Sequence, residues 1–200
     1  FDDPSKGESE EAGVLSDKYH LCVLAVSTDD KGYPRTYKDN GGKIIFTVLC
    51  VIKEAKSLSQ PFKINFKGSS AIRMANHIKA FDSFVLGTAT RMKRVSNPNA
   101  TPACRHQFWL PVSQVRDQVG KEKNRSWACP VVDFIKSTVR ETFEPKYGRT
   151  GVSVLREYTD VDMKDVSTWE KLGNLVIRDK ELNDVVVGWV TEYKDELKQK

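Results

Sequence analysis

Short apolar runs rich in β-branched residues, separated by turn-forming clusters, organise the first two thirds of the chain. Residues 20–27 (HLCVLAVS) predict a first strand. Residues 43–53 (KIIFTVLCVIK) predict a second, in which Phe46, Val48 and Cys50 share one face and read as core. The intervening DDKGYPRTYKDNGGK is dense in Gly, Pro, Asn and Asp, the composition of a long loop or hairpin. Residues 62–67 (FKINFK) alternate strictly, with Phe62, Ile64 and Phe66 on one face and Lys63, Asn65 and Lys67 on the other, so a third strand with a basic outer face is predicted. GSSAIRMANHIKAF then sets Ile72, Ala75, Ile78 and Ala80 or Phe81 at helical spacing, with Ser69 or Ser70 as the cap, and predicts one short helix. Residues 84–94 (FVLGTATRMKR) and 107–115 (QFWLPVSQV) predict two more strands, on either side of VSNPNATPACRH, whose Asn-Pro and Thr-Pro steps oppose regular structure.

The predicted order is β-β-β-α-β-β with long first and last hairpin loops, the connectivity of the OB-fold, a five-stranded Greek-key barrel. The expected fold class is therefore mainly β with α, and the barrel domain is expected over residues 14–125. Residues 1–13 are acidic and aperiodic, and predict a flexible arm. Residues 126–200 predict an α-rich C-terminal extension, from helical spacing in 131–143 and 182–197. Completing the barrel surface, forming a dimer contact and docking a partner are all open to it. The chain opens on Phe1 rather than Met, as a trimmed chain does, and shows no basic-then-apolar leader. Its KDEL string stops three residues short of the end and is no retention signal. The longest apolar run, 44–52, is broken by Thr47 and falls well short of the roughly 18 residues a membrane helix needs, so a soluble protein without a membrane partner is expected.

Charge changes the picture. The net +5 divides into 2 basic and 8 acidic residues over 1–30, 18 against 5 over 31–125, and 12 against 14 over 126–200. The positive excess thus sits in the predicted barrel. Such a footprint points to a polyanionic partner more than to a generic solvated surface, though a basic domain also keeps itself soluble. Four cysteines without a CxxC pair match neither a disulfide-rich secreted domain nor a zinc ribbon, and place the chain in the cytoplasm. Cys22 and Cys50 read as small buried hydrophobes. Cys104, His106 and Cys129, with His20 or His77, have no zinc-site spacing, so no metal or other cofactor is expected. Glu157, Asp160, Asp162 and Asp165 cluster as a nuclease's Mg²⁺ ligands do, but without a second motif they read as a solvated turn. No P-loop, GxSxG, HExxH or Cys-His dyad with a third member is present, and enzymatic chemistry is not indicated.

Single-stranded nucleic acid needs cations that follow phosphates and flat rings on which bases stack. The first loop interleaves Lys31, Tyr33, Arg35, Tyr37, Lys38 and Lys43, although Tyr33 or Tyr37 can equally pack on the barrel rim. Lys63 and Lys67 make one strand face positive, as an ordinary solvated face also is. The later segment supplies Arg91, Lys93, Arg94 and Arg105. Trp109 is the candidate stacking platform and Phe108 the core residue, since alternation sends them to opposite faces.

These residues carry a resemblance. Gly32, Pro34, Arg35 and Tyr37, then Asn40, Gly41 and Gly42, then the aromatic-Thr pair Phe46 and Thr47, followed by the helix MANHIKAF and Gly87 in VLGTATRMKR, resemble single-stranded DNA-binding proteins of the bacterial and phage type. The resemblance spans roughly half the chain. It implies an OB-fold that binds single-stranded DNA with little sequence specificity in replication, recombination or repair, in the cytoplasm of a cell or of the host of a phage or plasmid. RNA stays open, because stacking and phosphate contacts ignore the 2′-OH. A homo-oligomer is implied, and replication or recombination proteins are candidate partners of residues 126–200. Bacterial members end in an acidic tail with an apolar tip. This chain ends in KDELKQK, so recruitment through such a tail is not expected. The reading from another class is a protein-interaction or assembly module on the same barrel.

Overall fold

Alternation in the opening strands builds a sheet with two unlike faces. The computed structural model describes residues 18–55, 60–118, 126–132, 170 and 173–197. Strand β1 (Lys18–Val26) is followed by the two-residue β2 (Tyr37–Lys38), β3 (Ile44–Ile52) and β4 (Phe62–Lys67), with β5 (Leu110–Gln118) and β6 (Ser126–Val132) later in the chain. All pairings are antiparallel, and the long strands run β4-β3-β1-β5-β6. Ile45 pairs with Tyr37 on one edge and Lys67 on the other, so β2 continues the edge of β3 that β1 occupies further along. The protein is a mixed α/β structure on an open five-stranded antiparallel sheet; β4 and β6 are its outermost long strands.

The inner face packs Leu21, Val23, Val26, Phe46, Val48, Cys50 and Phe66 against α1 (Ser69–Phe81) and the helical turns after it. A register slip between Val23 and Ala25 lets Val23 and Val26 both face inward although they are three apart. From the helices come Met74, Ile78, Phe81 and Val85, all fully buried, each burial stabilising by about 1.5–3 kcal/mol relative to exposure. Phe81 meets Phe108 edge-on at 5.8 Å. The outer face differs. Cys22, Leu24, Leu49 and Val51 are covered by α3 (Lys180–Tyr193) through Val186, Leu182, Trp189 and Val190, with Ile177. Asp179 caps α3 by accepting the Leu182 N–H at 3.0 Å. Residues leading into α3 are tied to the sheet by Trp109 N–H to Leu175 O at 2.6 Å and Ile177 N–H to Gln107 O at 2.9 Å.

Several expectations are corrected. The segment 84–94, predicted as a strand, is helical: a π-turn (Asp82–Leu86) runs into α2 (Gly87–Ser96). Its β-branched composition is overridden because buried Phe81, Val85 and Thr88 continue the helical spacing of Ile78, and the core rewards that spacing. The five long strands with helix between the third and fourth are nevertheless present, since a hairpin of β5 and β6 supplies the last two. The sheet therefore runs past residue 125. The final predicted strand begins later, at Leu110, after a 3₁₀ turn (Arg105–Gln107). Neither Ser69 nor Ser70 caps α1. Gly68 does, at φ 60°, because the abrupt corner after β4 needs a left-handed residue. Val131 and Val132 lie in β6 rather than in a helix; the rest of 131–143, the arm 1–13 and the carboxylates of 157–165 lie outside the described residues. The predicted helix over 182–197 is present as α3 and the turn after it. Among the described residues no helix is long and apolar enough to cross a membrane.

Candidate functional site

The first loop is shaped by one turn built twice. Asp29 Oδ1 accepts the Lys31 and Tyr33 N–H groups at 3.0 and 2.9 Å, and Gly32 stands at φ 80°. Asp39 Oδ1 accepts from Gly41 and Lys43 at 3.0 and 2.7 Å, and Gly42 stands at φ 74°. In each, a short carboxylate organises the N–H groups two and four residues on, and glycine takes the left-handed position three residues on. What reads in sequence as one long loop is thus two tight turns flanking β2. They hold Lys31, Tyr33, Lys38 and Lys43 in solvent, with Tyr33 63% exposed. Arg35 is exposed too, its backbone N–H bonded to Ser27 O.

From the margin of the α3 cluster at Leu49 toward the Ile44 end of β3, the outer face carries polar and cationic rows. Tyr37, Ile45 and Lys67 lie side by side across β2, β3 and β4; Thr47 and Asn65 form the next row, Leu49 and Lys63 the one after. The middle row is a hydrogen-bonded chain. Thr47 Oγ1 donates to Asn65 Oδ1 at 2.8 Å, which leaves the Tyr37 hydroxyl to donate to Thr47 Oγ1 at 2.9 Å. Thr47 itself is buried, with its N–H on Ser27 Oγ at 3.1 Å, and so fixes the half-buried Tyr37 ring over the sheet. The Asn65 amide is exposed between the two lysines of its strand. Lys63 ends this strip, because Glu196, just past α3, reaches its Nζ at 3.0 Å.

The remaining candidates go elsewhere. Arg91, Lys93 and Arg94 stand on α2, in the helical layer against the inner face. Arg105 is joined to Asp82 by two parallel bonds of 2.7 and 2.6 Å, a fork that braces the π-turn against the 3₁₀ turn. Phe108 is core. Trp109 takes the opposite face, half-buried at the margin of the α3 cluster, with Lys53 Nζ 5.7 Å from its ring centre. Thus Tyr37, Lys63 and Lys67 share one face with the turns beside them, while Trp109 lies further along that face under α3 and the α2 cations do not join it. Two residues of the strip, Thr47 and Asn65, were not among the sequence candidates. The signal was there: Thr47 is the lone polar residue of IIFTVLCVI, and alternation sends Asn65 out between two lysines.

Cys22 and Cys50 are buried in opposite faces of the sheet, and burial pushes both thiols up to about 12, which leaves them neutral and unreactive. Burial, and then the Lys93 charge, lowers His106. Among the described residues no three His, Cys, Asp or Glu side chains come together as a metal site. Comparison of the chain with protein-family models, with curated proteins and with solved structures returned no match.

Proposed function

We propose that this protein binds single-stranded DNA without strong sequence preference and without catalysing a reaction, protecting or organising the strand in replication, recombination or repair. The observation that carries this reading is the strip on the outer sheet face: Tyr37 held by Thr47 and Asn65, Lys67 and Lys63 in the flanking rows, and two turns presenting Tyr33 and Lys43 alongside, with Arg35 exposed between the turns. Cations there would follow phosphates and release counterions, while a fixed ring accepts a base on its face at about 1–3 kcal/mol per stack. Because every base has a π-face, such a surface tolerates any sequence.

The strand path supports reading the sheet as an OB-type barrel, partly open, with its helical crossover between the third and fourth long strands. Nucleic-acid binding across the second and third long strands of such a barrel coincides with β3 and β4, where the strip lies.

The test is fluorescence anisotropy of labelled oligo-dT, with duplex DNA and an RNA of equal length alongside, across a salt series. We expect the single strand to bind tightest and to weaken linearly on a log–log salt plot, by about 0.7 per phosphate neutralised. Preference for the RNA would move the substrate class, and absence of binding at low salt would overturn the reading in favour of a protein-interaction module.

A further inference from the structure

The C-terminal half of α2 projects from the molecule. Every residue from 91 to 96 is exposed, and this stretch carries Arg91, Lys93 and Arg94 with Met92 51% and Val95 86% exposed between them. No Asp or Glu occurs between Asp82 and Asp117. Among the described residues the polar contacts of these cations are with neutral oxygens: Arg91 on Thr88 Oγ1, Lys93 on Gln107 Oε1, Arg94 on Ala100 O. Lys93 and Arg94 stand in the last turn, where cations complement the helix end. That preference explains neither Arg91 nor two large apolar side chains left in water.

Position matters as much as charge. Lys93 touches Gln107, three residues before Leu110; Leu110 pairs with Leu21, and Leu21 with Ile52. The α2 end therefore lies toward the Ile52 end of β3, whereas the turn holding Lys43 and the row holding Lys67 lie at its Ile44 end. Eight residue steps of strand separate the two ends, about 26 Å. The first half of α2 packs on the inner face through Ala89, so its projecting end leaves from that side of the sheet, whereas the strip is on the outer face.

Resting on the reading of the strip as a single-strand site, we propose that the projecting end of α2 is a second, separate contact for the same strand. Long strands reach it by passing round the molecule from the outer face, and short ones do not. Arg91, Lys93 and Arg94 hold phosphates there, with Met92 and Val95 against the bases. At about 3.4 Å per stacked nucleotide, spanning 26 Å takes about eight nucleotides before the path round the sheet is counted.

The experiment compares dT5 and dT30 binding to the full chain and to R91A/K93A/R94A, whose exposed side chains can be removed with the fold checked by circular dichroism. We expect the triple variant to bind dT5 as the parent does, to bind dT30 on the order of tenfold more weakly at low salt, and to lose about 2 from its log–log salt slope on dT30 alone. Equal weakening for both lengths would make α2 part of the short-strand site and overturn the proposal, as would unchanged dT30 binding. The strip is judged by the parent protein: if that binds dT5 while the triple variant matches it on dT30, the strip stands and the second contact falls. If the parent binds neither, both fall.

Discussion

Thr47→Val probes the strip at the atom that orders it. The substitution keeps shape and removes one hydroxyl, which donates to Asn65 and accepts from Tyr37. Two hydrogen bonds at a net of about 1 kcal/mol each are lost, and a buried hydroxyl exchanged for a methyl returns about 0.8 kcal/mol. Asn65 is exposed and turns to water at little cost, so the net destabilisation should come to about 1 kcal/mol. Urea unfolding reads this as a lower midpoint at unchanged slope. Binding should suffer separately. A Tyr37 ring no longer tethered must be immobilised by the strand, at about 0.5–1.5 kcal/mol, or about two- to twelvefold in affinity for oligo-dT. Tyr37→Phe, which keeps the ring and loses the same tether, should reproduce the binding loss. If both variants are destabilised yet bind oligo-dT as the parent does, Tyr37 is not a stacking platform and the strip binds by charge alone.

Glu196→Gln should free Lys63 for phosphate and raise oligo-dT affinity a few-fold at low salt; because the pair is partly exposed, anisotropy should show the gain disappearing as salt rises. Acid should destabilise the fold through His77, which burial, and secondarily the Arg73 charge, lowers to about 3. The unfolded chain takes up that proton below about pH 6.5 and the folded chain does not, so stability falls as pH drops through the window from about 6.5 to 3, by about 2 kcal/mol between pH 7 and 5. Urea midpoints at the two pH values should differ accordingly in the parent and much less in a folded His77→Gln variant. Thiol labelling of the native protein should modify exposed Cys104 quickly and leave Cys22 and Cys50 untouched until denaturant is added, read by mass spectrometry of the labelled peptides.

Local pattern alone determined much of this protein. Strict alternation in 62–67 set β4 and its cationic face, the shared face of Phe46, Val48 and Cys50 set the core of β3, and the spacing of Ala75, Ile78 and Phe81 set α1. Those signals survive in one dimension because each element buries one face and its side-chain period declares which. Segment 84–94 is a different case. Val85 and Thr88 suit a strand by composition, and only the core beneath Phe81 makes helical spacing the better burial. Tertiary structure also decided which cations lie side by side. Arg105 is as basic in sequence as Lys67, yet Asp82, twenty-three residues earlier, engages it, while strand register sets Lys67 in one row with Tyr37. Charge along a chain is additive and visible, whereas the partner of each charge depends on contacts between residues far apart, and those exist only once the chain has folded.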